Sequence, residues 1–402
     1  MQDRKRNICL RCCYQPIDCN MTSTRSCRLG IALILLTAAL PACGGDSTAP
    51  PTTGTLEFNV LTTGVDIDAD GFLLDVDGQP RELPANGTVS FSALPGAHTL
   101  SISGFAFNCD LTATPASSAN VILATTTRVD VQATCTPYLR NTILYTSAEF
   151  GNALMAMRSD GSRRVQLTPN QSFYAAPAVS PDGQSIAVAW GGPWDGIYAL
   201  DRFGKGRTTL IGGGNLDGVP AWSPDGTKLA FRRLVHRSYG DVGRIFVVNR
   251  DGTGLRQLTP DDASSNPFDS DPSWSPDGTR LLFSRSGELS FINVDGTGLT
   301  WTGVVGDSPS LSRDGTQIAY QSINGGNEGI WVMDMSFIPH QLTTPVQADQ
   351  MPRWSADGSQ LVFARVEGGV SQIYSMKADG SGVTKLSTST MGNTWPSWSP
   401  SF

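Results

Sequence analysis

A short marker, Ser-x-Asp-Gly, recurs at Ser180, Ser223, Ser275, Ser312 and Ser355, and its opening returns a sixth time as Ser399-Pro400. The spacings are 43, 52, 37, 43 and 44 residues. At that period each repeat is one supersecondary unit, and stacking neighbours supplies the core that a single unit cannot build. A large apolar residue precedes each Ser (Val179, Trp222, Trp274, Leu311, Trp354, Trp398), and a proline stands three positions before it: Pro177, Pro220, Pro272, Pro309, Pro352 and Pro396. Four strand-like segments fill a repeat. Segment A is the P-x-W-S run, and B is the apolar run after the Asp-Gly turn, as in Leu229-Ala-Phe231. C resembles Ile245-Phe-Val-Val248, and D resembles Arg256-Gln-Leu-Thr259. The repeat after Ser275 departs at D, with only Leu299-Thr-Trp-Thr302. An unpaired B segment, Ile143-Leu-Tyr145, opens the series, and an unpaired A segment, Pro396-Ser-Trp-Ser399, ends it. Joined, these halves make six complete units from residues 139–402, about 44 residues each. Pairing the last strand with the first removes the free sheet edges. The expected fold class is all-β: a six-bladed β-propeller preceded by a small β-sandwich.

The consensus P-x-W-S-P-D-G … I-A-F … I-Y-V-M … D-G … Q-L-T resembles the TolB-type propeller repeat over about two-thirds of the chain. That resemblance implies the propeller fold. The segment before the propeller does not resemble the α/β domain that precedes it in TolB itself, so the Tol–Pal role is not carried over.

In an up-and-down blade the A–B and C–D turns share one face, so the B–C and D–A connections lie on the other. The turns are uniform Asp-Gly pairs, including Asp160-Gly161, Asp251-Gly252, Asp295-Gly296 and Asp379-Gly380, whose chemistry suits turns rather than metal. Connections on the opposite face vary, the longest being 232–243 and 260–271. Variable loops on a uniform scaffold mark the functional side. The residues before the six prolines, Ala176, Val219, Asp271, Ser308, Met351 and Trp395, are expected to line the mouth of the central channel. Tyr174, Trp194, His236, Tyr239 and Phe268 are expected near it, a mixed aromatic and polar surface suited to a peptide or a glycan. The tryptophans before each Ser are expected to pack between blades.

Residues 56–136 alternate in short runs (LEFNV, GFLLDVDG, TVSFSAL, HTLSISGF, NVILAT, RVDVQAT) separated by Asp77-Gly78, Asn86-Gly87 and Pro95-Gly96, the pattern of an antiparallel β-sandwich. The stretch around Val76-Asp77-Gly78 and Leu94-Pro95-Gly96-Ala97-His98 is similar to PEGA-type and carboxypeptidase-regulatory-like modules. Asp66, Asp68, Asp70 and Asp77 have the spacing of a calcium loop turned by Gly71, which makes a structural calcium ion a candidate and no cofactor a requirement.

Ahead of the sandwich, Arg25 and Arg28 precede the 12-residue apolar run Leu29–Leu40, too short to span a bilayer and fitted to a signal peptide. Leu40-Pro-Ala-Cys43 resembles the lipobox of bacterial lipoproteins, which implies acylation of Cys43. By resemblance to Gram-negative sorting signals, the absence of Asp after Cys43 implies the outer membrane. Residues 1–43 thus read as leader and signal, with Met21 as the expected start, and 44–55 as a flexible tether. Cys9, Cys12, Cys13 and Cys19 lack the second CxxC or His cluster of a zinc site. With Cys27 in the signal and Cys43 lipidated, Cys109 and Cys135 remain as an even pair in an oxidising compartment, and a disulfide is expected.

The whole chain carries −7, and residues 1–42 carry +4, so the rest carries −11. Such a chain is a poor binder of phosphate backbones or anionic membranes. Three histidines, His98, His236 and His340, fall in separate units, and no G-x-S-x-G elbow occurs. Catalysis is therefore not expected. The sequence points to a lipid-anchored cell-envelope binding or scaffold protein whose loop face takes a protein or peptide. A glycan-binding surface protein is the alternative, with glycan cleavage a more distant one.

Overall fold

The computed structural model describes residues 51–400, apart from 68–70, 114–115, 192–194, 213–214, 239, 262–266, 323–327 and 345–346. Eight strands form two four-stranded sheets ahead of the propeller: β1 Gly54–Gly64, β2 Phe72–Val76, β3 Gln79–Leu83, β4 Gly87–Ala93, β5 Gly96–Ser103, β6 Cys109–Leu111, β7 Ser118–Val121 and β8 Thr126–Cys135. Their orders are β4-β1-β8-β6 and β3-β2-β5-β7. Alternating apolar residues from both sheets, including Leu56, Phe58, Leu74, Leu83, Val121 and Val131, meet in one core. Three sequence expectations need correction. The sandwich is not wholly antiparallel, because β1 and β8 pair in parallel from Thr55↔Thr126 to Gly64↔Cys135. β1 starts at Gly54, inside the expected tether. β3 and β6 were not anticipated: β3 buries only Leu83, and β6 is three residues long. The Cys109–Cys135 disulfide joins β6 to β8 at a directly opposed pair.

All six blades are present, each a four-stranded antiparallel sheet in the order A-B-C-D. Blade 1 combines A Asn393–Trp398 with B Thr142–Ser147, C Ala153–Arg158 and D Val165–Gln166. Blade 2 runs Tyr174–Val179, Ser185–Trp190, Gly196–Asp201 and Thr208–Ile211, and blade 3 runs Gly218–Trp222, Lys228–Arg237, Gly240–Asn249 and Arg256–Gln257. In blade 4 the strands are Asp269–Trp274, Arg280–Arg285, Glu288–Asn293 and Thr300–Val305. Blade 5 has Asp307–Leu311, Gln317–Ser322, Gly329–Asp334 and Pro339–Gln341, and blade 6 has Asp349–Trp354, Gln360–Glu367, Val370–Lys377 and Thr384–Lys385. The connection expected at 232–243 is mostly strand: B and C of blade 3 pair from Lys228↔Asn249 out to Arg237↔Gly240, so His236 lies on a strand rather than in a loop.

The marker has a local physical meaning. In each A–B turn the Ser hydroxyl donates to the Asp carboxylate (Ser223 Oγ to Asp225 Oδ1, 2.6 Å) and accepts the amide five residues on (Lys228 N, 2.9 Å). The carboxylate accepts the amide two residues past it, as Thr227 N does at 3.0 Å. The pattern repeats at Ser180, Ser275, Ser312 and Ser355. Blade closure reuses it between the chain ends: Thr142 N donates to Ser399 Oγ at 2.8 Å, and Ser399 N donates to Thr142 O at 2.8 Å. The terminal Thr or Ser of D is equally specific. Thr168, Thr259, Thr343 and Ser387 are buried, and each hydroxyl accepts an amide of its blade's C strand at 2.9–3.0 Å. Tryptophans tie neighbouring A strands, Trp222 Nε1 donating to Ala178 O at 3.1 Å and Trp274 Nε1 to Ala221 O at 2.9 Å.

Two outcomes follow. Ser399→Ala leaves the buried Thr142 amide without its acceptor and should lower stability by about 1–3 kcal/mol in urea unfolding. The Ser hydroxyl and turn amides pull the Asp225, Asp277 and Asp314 carboxyls down to about 2. Because the folded pKa lies below the unfolded one, this stabilisation is complete above about pH 4 and is lost as pH falls toward 2. The urea midpoint should therefore drop between pH 4 and 2.

Candidate functional site

The six A strands converge on the propeller axis, and each carries the same irregularity. Register shifts between Ala175 and Ala178, Gly218 and Ala221, Ser270 and Ser273, Asp307 and Ser310, Gln350 and Arg353, and Thr394 and Ser397. Proline has no amide to give a ladder, and a bulge takes it out of the pairing. The residue before it turns left-handed in every blade: Ala176 at φ 46°, Val219 53°, Asp271 54°, Ser308 50°, Met351 54° and Trp395 55°. A β-branched residue such as Val219 adopts this region only where the surrounding structure imposes it. Sequence reasoning placed these six together, but the bulge and its backbone geometry were not anticipated.

A cavity of about 280 Å³ lies along the axis, lined by Ala176, Val219, Met351 and Trp395 from this ring and by Trp222, Trp274 and Trp398. Ala176, Val219 and Ser308 are themselves buried, so the accessible part of the ring is Asp271, Met351 and Trp395, each half-buried. Arg353 also lines the cavity, where its Nη1 donates to Ser308 O at 3.2 Å and to Pro352 O at 2.8 Å. Enclosure pushes the Arg353 pKa down, and the Asp271 carboxylate opposes that shift. Asp271 acts on Arg232 in the same way, and the Arg232 guanidinium lies 5.9 Å from the Phe268 ring, which is exposed. One sector of the mouth is therefore an acidic and aromatic surface between two enclosed arginines.

The remaining expected residues scatter. Tyr174 is buried in the core that blades 1 and 2 share, and it is not on the loop surface. His236 is exposed at the outer part of the blade 3 hairpin, its Nδ1 2.5 Å from Asp241 Oδ1. Trp194, Tyr239 and Cys43 lie outside the described residues, as do Asp68 and Asp70. The carboxylates at the two ends of the suggested calcium loop are engaged by the protein. Asp66 meets Arg202 at 2.5 Å and accepts Tyr138 N at 2.9 Å, while Asp77 meets His98 at 2.5 Å and accepts Thr99 N at 2.8 Å.

What the sequence reading missed is a set of buried ion pairs at the loop-face end of the blades. Asp217 binds Arg233, Asp269 binds Arg285 and Asp349 binds Arg365, with all three aspartates fully buried and contacts of 2.6–2.9 Å. Each Asp stands three residues before the blade's proline and sixteen before its Arg, a spacing visible in the sequence. Burial pushes the Asp269 carboxyl up to about 6, against the pull of Thr259, Arg285 and Arg244. Losing one partner of such a pair costs about 3–5 kcal/mol, so these pairs hold the foundations of the loop face.

The turn face is partly taken by the chain itself. Arg158 and Arg163, at the C–D turn of blade 1, bind Asp110 of β6 at 2.7 and 3.1 Å, and Arg163 also donates to Cys109 O at 2.8 Å. From the C–D turn of blade 2, Arg202 reaches Asp66, and the Phe203 ring packs 4.8 Å from Tyr138, which lies 5.7 Å from Phe107. All of these contacts fall on the turn side.

Comparison with known proteins agrees with this architecture. The family model described as the TolB beta propeller domain matches residues 134–299 and 298–401. A Protein TolB homolog from Chlorobium luteolum is 32% identical over 148 residues, 35% of this chain and 31% of that protein. The chain thus spans less than a third of the length of that relative. Among solved structures, TolB from Acinetobacter baumannii superposes with a TM-score of 0.57 at 21% identity, covering 65% of this chain and 67% of that one. Hydrazine synthase from Kuenenia stuttgartiensis superposes with a TM-score of 0.51 at 13% identity, over 64% of this chain and 46% of that one. At these identities the structural likeness speaks for the fold alone.

Proposed function

The chain belongs to the TolB β-propeller family, and from that premise we propose that it is a cell-envelope binding protein, lipid-anchored at Cys43, whose propeller takes a segment of a protein partner at the loop-face mouth. The observation that carries this reading is the asymmetry of the two faces. Sandwich contacts occupy C–D turns on one side, while the opposite end of the A strands presents the half-buried Asp271, Met351 and Trp395 and the exposed Phe268, with Met351 and Trp395 also lining the axial cavity. A volume of about 280 Å³ admits a few residues of a narrow segment rather than a folded domain. An exposed aromatic and a carboxyl group beside enclosed arginines suit a peptide with an apolar side chain and a polar backbone, and aromatic anchors dominate such contacts. TolB relatives are named for the Tol–Pal system, which favours an envelope protein as the partner.

The sandwich fits the role of a spacer. β8 carries the chain from the tether end to the propeller end over ten residues, about 33 Å. The propeller is attached there by its turn face, which leaves the loop face pointing outward.

Full-length protein extracted in detergent should capture a defined envelope protein, and free glycans should not compete. Asp271→Asn combined with Trp395→Ala should weaken that capture tenfold or more, about 1.4 kcal/mol or above. Leu255→Ser, in an exposed turn on the opposite face, should leave it unchanged. Capture that survives the double substitution, or that glycans abolish, would contradict the reading.

A further inference from the structure

The sandwich has two ends, and the propeller is attached at only one of them. At one end lie the entry of the chain at Thr53–Gly54, the β2–β3 turn, the β4–β5 turn and the β7–β8 turn; the registers Gly54↔Ala93, Gly96↔Val121 and Thr55↔Thr126 bring them together. The propeller is attached at the other end. Three large aliphatic side chains stand in water on the entry end: Leu94 is 66% exposed, Ile122 58% and Leu123 47%. Both turns that carry them cross from one sheet to the other.

Polar contacts hold these turns in place. His98 bridges the first, its Nε2 2.7 Å from Leu94 O and its Nδ1 2.5 Å from Asp77 Oδ2. In the second, Thr125 N donates to Ile122 O at 3.2 Å, and Ala124 N donates to Thr53 O at 3.1 Å, which ties the turn to the entering chain. Among the residues of the three turns only Asp77 is ionisable, and it faces His98 and Thr99. An apolar rim whose one carboxylate is already paired with His98, on a chain carrying −11 after residue 42, calls for an explanation.

The length of chain ahead of it supplies one. Ten residues separate Cys43 from Gly54, and even fully extended they reach no farther than about 36 Å. We propose that this end of the sandwich docks on the lipid bilayer, with Leu94, Ile122 and Leu123 inserted among the headgroups and upper acyl chains beside the anchor. The proposal rests on the lipid anchoring at Cys43 put forward above. Basic residues play no part in it: the contact is apolar insertion, the mode of interfacial segments that lie on a membrane without crossing it. Docking would set the propeller's loop face away from the bilayer.

The test uses the acylated full chain reconstituted into phosphatidylethanolamine and phosphatidylglycerol vesicles. After Cys43 the chain contains only Cys109 and Cys135, joined to each other, so L123C adds a single free thiol for an environment-sensitive fluorophore. E82C, exposed near the opposite end of the sandwich, serves as the reference. On vesicles the L123C label should shift to the blue and lose its accessibility to iodide, while the E82C label stays fully quenchable. L94S and I122S added to L123C should abolish the blue shift while the protein still floats with the vesicles. Protein that floats with both labels equally open to iodide would overturn docking and leave the anchor standing. A chain that does not float would overturn both.

Discussion

Everything about this propeller depends on the pairing of its two chain ends. The A strand of blade 1 is Asn393–Trp398 and its B strand is Thr142–Ser147, with Trp398 opposite Ile143 and Asn393 opposite Ser147. Ser399 and Thr142 exchange the same two hydrogen bonds that a Ser makes with the residue five positions on in every other blade. Chemistry that is local in five blades is therefore long-range in the sixth, across 257 residues of sequence. Ring closure pairs the inner edge of the Thr142–Ser147 strand, which would otherwise stand open, and brings the six bulged prolines around one axis.

Closure also gives the molecule its polarity. With all blades in one orientation, every Ser-x-Asp-Gly turn and every C–D turn falls on one face, and the variable connections fall on the other. Two C–D turns hold the sandwich through Asp110, Asp66 and a run of aromatic rings. The disulfide fastens the short β6, whose Asp110 receives both arginines of blade 1, to the long β8. On the far side, buried Asp–Arg pairs brace the strands beneath the loops. Scaffold interactions are thus concentrated where the chain meets itself, and half-buried side chains remain at the axial mouth.

Much of this was legible in the sequence, because the repeat is written in local chemistry. Ser, Asp and Gly specify the A–B turn, the apolar run after them specifies B, and a terminal Thr on D finds the C strand of the same blade. Counting half-blades at the two ends was enough to find six blades and their closure, and the two surviving cysteines found each other. What stayed hidden depends on pairing over distance. Parallel contact between β1 and β8 has no local signature, and β6 is too short to show a period. Proline in an innermost strand looks like a strand end until the bulge that accommodates it is seen. Polar segments hid two features: Arg232–Gly243 reads as a loop but builds a long hairpin, and Asp217, Asp269 and Asp349, three residues before their prolines, are fully buried against arginines that lie sixteen residues further on. Tyr174 misled in the opposite sense, an aromatic at a loop boundary that belongs to the core.

The account's central claim is that the two faces do different work, one holding the chain's own sandwich and the other receiving a partner. Backbone hydrogen exchange of the full-length protein, free and with its captured envelope partner, tests this most directly. The account predicts new protection around the pre-proline ring, above all at 271–274, 351–354 and 394–398, with unchanged exchange in the C–D turns at 159–164 and 202–207. Protection concentrated in those turns, with the axial mouth exchanging as before, would contradict it.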